Sequence, residues 1–205
     1  MILLVGATAQ EIEWLRSRAG VETLICGIGP VDAASRVSCA LSTNRYDVVV
    51  NAGIAGAFAG AVNVGDGVVV GEELFQLDRE DGEALALPPG NLVADRVPAD
   101  AHLIEAVTAL GFPLVRGITV SRVTTSDATV ARLRERGAEI ESMEGFAVIR
   151  AAQLAGVPAI ELRGISNIVG DRSKSNWDFA AGITGLRKIL NATLDLLHTI
   201  PTYAD

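Results

Sequence analysis

The sequence has 205 residues, 49% of them apolar and 20% charged, and a formal net charge of −8. That length suffices for a sizeable core without disulfides or metals, and the composition excludes wholesale disorder. The acidic balance argues against nucleic acid as a partner, because phosphates call for a basic patch and the densest one here, Arg132–Arg136, is interrupted.

Apolar runs alternate with helix-like stretches from end to end. Ile2–Gly6 reads as a buried first strand rather than a signal peptide or membrane span. Ala9–Arg18 follows as a helix, Val21–Cys26 as a strand, and Val31 to Ser42 as a helix. The β-branched run Asp47–Ala52 suits a strand covered on both faces. Gly67–Gly71 is another strand, after the turn Gly65-Asp66-Gly67. Gln76 to Pro98 holds three of the seven prolines and reads as loops with one short strand. Asp100 is placed to cap a helix with Leu103, Ala106, Val107 and Leu110 on its apolar face. Leu114–Val120 is a strand, Asp127–Arg136 a helix, and Met143–Ala155 a helix stopped by Gly156 and Pro158. Ala159–Ile165 is the last strand, and a long helix from Asp178 to His198 closes the chain.

This alternation predicts one α/β domain over residues 1–205, a three-layer α/β/α fold whose mostly parallel mixed sheet carries helices on both faces. Ligands in such sheets bind beyond the carboxyl ends of strands. Cys26 and Cys39 read as buried reduced thiols, which suits a cytoplasmic protein. Two isolated histidines and two isolated cysteines give no metal set.

Glu11 falls on the first turn after the first strand, where a carboxylate is favoured by the helix dipole whether or not it has another task. Gly27-Ile28-Gly29 follows the second strand as a tight turn or a close approach to a ligand, and the third glycine of a dinucleotide fingerprint is missing. Asn51 to Gly56 supplies small residues at a central strand, for a flat ligand or for a close-packed helix. Glu144 opens a helix that is apolar nearly all round, so its carboxylate needs a partner: the helix terminus, Arg163 or ligand hydroxyls. Asn167 follows the last strand as a turn former or a ligand group. Ser166 has neither the second glycine of a nucleophile elbow nor a nearby histidine.

In order along the chain stand Gly6-Ala7-x-x-x-Glu11, Gly27-Ile28-Gly29, Asn51-x-Gly53-x-Ala55-Gly56, Val64-Gly65-Asp66, Met143-Glu144-Gly145 and Arg163-x-Ile165-Ser166-Asn167. Together they resemble the nucleoside phosphorylase and nucleosidase superfamily, in particular its methylthioadenosine/S-adenosylhomocysteine nucleosidase branch. The resemblance spans Leu4 to the C-terminal helix. It implies hydrolysis of the N-glycosidic bond of a purine nucleoside, without cofactor or metal, by a homodimer or higher homo-oligomer. By the same resemblance Glu11 handles the attacking water, Met143 lies against the ribose, and Glu144 accepts from its 2′- and 3′-hydroxyls. Asn167 meets the departing purine, with Gly53, Ile54, Thr125 and Ser142 as further contacts.

The chemistry fits those roles, because the sugar gains positive charge as the base leaves with negative charge. An asparagine can donate to O6 and N7 of hypoxanthine, where an ionised aspartate would repel O6. Asn167, with Ile165–Arg172 and Asn176-Trp177, therefore points to a branch releasing a 6-oxopurine. Departures from the adenine-releasing enzymes support this: Ser142 stands where they have a glutamate, a residue near Thr125 where they stack an aromatic, and Ile54 where they have serine. Asn51 and Ile54 also replace the arginine and serine that hold phosphate in the bacterial phosphorylases, which favours water. Arg172 and Lys174 either meet a carboxylate on the 5′ side or lie on a solvated loop. The rivals are a phosphorylase acting on inosine, a methylthioadenosine nucleosidase and a non-catalytic nucleoside-binding protein.

Overall fold

The computed structural model describes residues 1–79, 85, 88, 94–170 and 177–200. The elements in order are β1 (Ile2–Gly6), α1 (Ala9–Ile12), a 3-10 turn (Glu13–Leu15), β2 (Val21–Ile25), α2 (Pro30–Thr43), β3 (Val48–Ala57) and β4 (Gly67–Phe75). They continue with β5 (Arg96–Pro98), α3 (Ala101–Thr108), β6 (Leu114–Thr119), α4 (Asp127–Glu135), β7 (Ile140–Ser142), α5 (Gly145–Ala155), β8 (Ala159–Ile168) and α6 (Phe179–Thr199).

β1 is buried along its whole length and alternates two faces. Ile2 and Leu4 join a core with Leu103 and Val107 of α3 and Leu186, Ile189, Leu190, Leu194 and Leu197 of α6. Leu3 and Val5 face the other way, onto Ala33 and Val37 of α2 and Phe146 to Ala152 of α5. Helices thus cover both faces of a mixed sheet, as period-two burial in a central strand requires. Each fully buried Leu or Ile contributes about 1.5–3 kcal/mol.

The sheet runs β2-β1-β3-β7-β6-β4-β5, and β8 pairs with both β3 and β4. Five strands, β3, β8, β4, β6 and β7, therefore close into a ring. Ala55, Ala57, Val68, Val70, Val115, Ile140 and Ile165, drawn from all five, fill its interior. This closure explains where the strands differ from expectation. β3 continues through Asn51–Gly56 to Ala57, paired with β8 along that length and with β7 at Gly56 and Ala57, and β8 continues through Asn167 to Ile168 against β3. β4 runs to Phe75 for the same reason, against β5 and β6.

Three further details depart from the sequence reading. α1 gives way to the 3-10 turn because the Trp14 indole donates to the Glu11 carbonyl (3.1 Å), taking an acceptor that a continuing helix would use. β7, three residues long, precedes α5, so that helix begins at Gly145 and not Met143. Cys39 is exposed on α2, unlike Cys26, whose burial pushes its thiol up to about 11. Asp100 does cap α3, accepting from the backbone N–H of His102 and Leu103. Among the described residues no helix is long and apolar enough to cross a membrane.

Candidate active site

A cavity of about 260 Å³ opens beyond the carboxyl end of β1 and along the C-terminal parts of β3 and β8, and Glu11, Ile54, Glu141, Met143, Glu144 and Asn167 belong to its wall. Glu11 and Asn167 thus face one space. That is where a doubly wound sheet concentrates its functional groups.

At one end the carboxylate of Glu11 is held by three donors. Thr8 N–H (2.8 Å) and Thr8 Oγ1 (3.0 Å) donate to Oε2, and Ile54 N–H (3.0 Å) donates to Oε1. A carboxylate offers about four lone-pair sites, so one is left for a ligand or water. Gly53 does not line the cavity but stands behind it. A Cβ there would sit 2.4 Å from Arg163 Nη1 and 2.8 Å from Glu11 Oε1, so only glycine admits both side chains.

Glu144 is the N-cap residue of α5 yet makes no capping bond with its side chain. Its Oε1 accepts from Gly29 N–H (2.9 Å) and its Oε2 lies 3.8 Å from Arg163 Nη1. The turn that presents Gly29 needs positive φ at Gly27 (82°) and Gly29 (99°), which accounts for the Gly27-Ile28-Gly29 sequence. The α5 terminus is satisfied by hydroxyls, with Ser142 Oγ accepting from Gly145 N–H and Thr119 Oγ1 from Phe146 N–H. Burial raises the Glu144 carboxyl above the usual range, while Arg163 and Gly29 N–H oppose it.

Arg163 is fully buried and binds Glu161 through Nε (2.7 Å). Behind it lies Glu73, also fully buried, whose Oε2 accepts from Thr119 Oγ1 (2.7 Å). Burial, then the charge of Glu161, raise the Glu73 carboxyl well above its ordinary value, which favours its protonated form. Four carboxyl groups, those of Glu11, Glu73, Glu144 and Glu161, gather around the single arginine. The cluster is electronegative and suited to a positive charge. Because the folded state binds the Glu73 proton more tightly than the unfolded chain, stability falls as pH rises from the ordinary carboxylate range toward the raised value. Glu73→Gln should flatten that decline, so that melting temperature between pH 4 and 8 varies less in the variant; parallel profiles would refute it.

At the other end, Ser166 Oγ lies 2.9 Å from Asn167 Oδ1 and 3.2 Å from the Ala55 carbonyl, so its one proton is shared between two acceptors and the hydroxyl ties the amide to β3. The amide lies over Gly56, where a Cβ would approach Nδ2 to 2.9 Å. Met143 and Ser142 belong to the wall between the two ends. Thr125 does not. It is exposed, and Val123 and Thr124 take its place because Thr124 N–H donates to the buried Glu141 (3.1 Å), turning the loop inward at that residue. Arg172 and Lys174 lie outside the described residues, as do Asp171 and Asn176.

The sequence pattern of the phosphorylase superfamily matches residues 4–199. The chain belongs to the phosphorylase superfamily. Within it, a futalosine hydrolase of Streptomyces coelicolor is 38% identical over 88% of this chain and 81% of its own length. A futalosine hydrolase of Thermus thermophilus is 33% identical over 85% and 81%. A 5′-methylthioadenosine/S-adenosylhomocysteine nucleosidase of Anoxybacillus flavithermus is 28% identical over 86% and 89%. In three dimensions the phosphorylase-superfamily fold here matches the nucleosidase of Colwellia psychrerythraea, solved with adenine, at a TM-score of 0.80 and 22% identity over 96% of this chain and 95% of that one.

Three buried glutamates in or behind the cavity wall escaped the sequence reading: Glu73, Glu141 and Glu161. Each lies in or beside an apolar strand, and a glutamate inside such a run, as in Ala159-Ile160-Glu161-Leu162, was the available signal.

Proposed function

We propose that this chain hydrolyses the N-glycosidic bond of futalosine, releasing hypoxanthine. The observation that carries the reading is the single cavity shared by Glu11 and Glu144 at one end and Asn167 at the other. Glu144 accepts from the ribose hydroxyls, and Met143 packs on the sugar. As the bond lengthens, the sugar becomes oxocarbenium-like, and the surplus of carboxylates beside it lowers the energy of that charge. Water held on the remaining lone pair of Glu11 attacks the anomeric carbon, and its proton passes to the carboxylate. Asn167 Nδ2 donates to the acceptors of the departing 6-oxopurine, with Ser166 holding the amide.

Water is favoured over phosphate by charge. Among the described residues no Lys, Arg or His lines the cavity, and Arg163 behind it is engaged by Glu161. A phosphate dianion would face Glu11 and Glu144 instead. Asn51 sits inside β3, buried and away from the wall, and Ile54 offers an alkyl group and a backbone N–H already given to Glu11. The reading takes the protein as a single-domain cytoplasmic homo-oligomer. The exposed Ile28 and Phe179 at the cavity are suited to a second copy closing the 5′ side.

The test incubates the protein with futalosine, inosine and methylthioadenosine, with and without phosphate, and identifies base and sugar. Hypoxanthine and free sugar are expected at a rate indifferent to phosphate. A sugar 1-phosphate product, or adenine released faster than hypoxanthine, would overturn the reading.

A further inference from the structure

Glu11 sits on a helix of a single turn, α1, Ala9–Ile12. A helix this short has almost no stability of its own, because nucleation fixes several residues for very few hydrogen bonds. Each end must be held from outside. At the N-terminal end the N–H and hydroxyl of Thr8 both donate to the Glu11 carboxylate, so the group assigned to water also holds its own turn together. At the other end the Glu11 carbonyl is one of the acceptors that a helix terminus leaves unfilled, and the Trp14 indole N–H donates to it (3.1 Å). Glu11 is gripped by its side chain and by its main chain, and Trp14 supplies the second grip.

Trp14 is in turn tied to α6. Its neighbours Ile12 and Leu15 enter the core beside Leu186, Ile189 and Leu190 of that helix. Trp14 stays at the surface, 36% exposed, and the guanidinium of Arg187 lies over its ring, 5.3 Å from the centroid. Removing the indole therefore opens no buried cavity. Arg187 follows Phe179 and Ile183 at intervals of four along α6, so the three share one helix face. The first two belong to the cavity wall. One face of α6 thus walls the cavity and, a turn beyond Ile183, bears on the residue that holds Glu11.

We propose that Trp14 is a positioning residue for the hydrolysis: by closing the C-terminal end of α1 against α6 it fixes the Glu11 carboxylate where water attacks. Trp14 is not part of the cavity wall and acts only through Glu11. This rests on the role given to Glu11 under the proposed function and is indifferent to which purine leaves.

Steady-state kinetics on the nucleoside turned over fastest provide the test. Trp14→Phe keeps a ring beneath Arg187 and loses the N–H. It should lower kcat by about 10-fold, and Trp14→Ala by up to about 100-fold, the loss expected when a reacting group shifts by roughly 1 Å. KM and calorimetric binding of hypoxanthine should stay within about twofold in both, because Glu144 and Asn167 do not depend on this turn. Placed on Glu11→Gln, neither substitution should slow the residual turnover further, since no carboxylate is left to position. Trp14→Phe is the gentler change and carries the test if Trp14→Ala does not fold. The inference fails if Trp14→Phe keeps kcat within about twofold of wild type, or if its loss multiplies with that of Glu11→Gln. It fails as well if KM rises in step with the fall in kcat, the mark of a disturbed cavity. Adenine released faster than hypoxanthine would sink the futalosine reading and leave this inference standing, whereas futalosine hydrolysis untouched by Trp14→Phe would do the reverse. A wild type that hydrolyses no nucleoside would end both.

Discussion

Glu11→Gln is expected to lower kcat for nucleoside hydrolysis by about 10²- to 10⁴-fold, the range for losing a positioned general base. Three donors converge on the carboxylate, two from Thr8 and one from Ile54. An amide can satisfy only those at its oxygen, so its NH₂ group meets N–H or O–H donors whichever way it is turned. The variant loses the negative charge that faces the sugar, the lone pair that holds water and the acceptor for its proton. Hypoxanthine binding, read by calorimetry at the Asn167 end, should change little, separating a lost chemical step from a lost cavity. The capping role at α1 makes a modest fall in melting temperature expected as well, about 1 kcal/mol in stability. A variant that turns over within a few-fold of wild type would remove Glu11 from the mechanism.

Arg163→Met should destabilise the fold by about 3–5 kcal/mol, near 10 °C in melting temperature for a chain of this size. The guanidinium is buried between Glu161, which it binds through Nε, and Glu144, and its Nη1 also reaches the Ile54 carbonyl (3.4 Å). Without it, three buried carboxylates repel one another with no cation among them. They then either raise the energy of the folded state or take up protons. Glu144 would lose the charge that opposes its protonation, and a protonated Glu144 is a poorer acceptor for two hydroxyls, so KM should rise along with the loss of stability. Arg163→Lys should fall between, because an ammonium keeps the charge but cannot span both carboxylates in one plane. A melting temperature unchanged in Arg163→Met would show that Glu161 and Glu144 are not held apart by this residue.

Much of the architecture can be read locally. The two faces of Ile2–Gly6, the β-branched Val48–Val50 and the cap at Asp100 are set by neighbours within a few positions, and so they stand in the structure. The candidate site was half legible. Glu144 stood out because a carboxylate at the head of an apolar helix must be satisfied somewhere, and Arg163 was among its foreseeable partners. Thr125 was misplaced by one residue because what turns the loop inward is Thr124 bonding to Glu141 on another strand. Gly53 to Gly56 read as a strand end, since glycine is poor strand material, until β8 pairs with the whole segment and β7 joins at Gly56.

The sequence alone therefore determined the alternation of strands and helices, the layering that follows from it, and the presence of carboxylates where an apolar pattern has no room for idle charge. These are consequences of periodicity and desolvation, which act on each residue in its own segment. Only the tertiary structure decided that β3, β8, β4, β6 and β7 close a ring, that Glu73 and Glu161 meet behind Arg163, and that Glu141, Gly56 and Asn167 share one row. Strand register is fixed by pairing between segments distant in the chain, and a side chain's partners across a sheet leave no trace in its own neighbourhood.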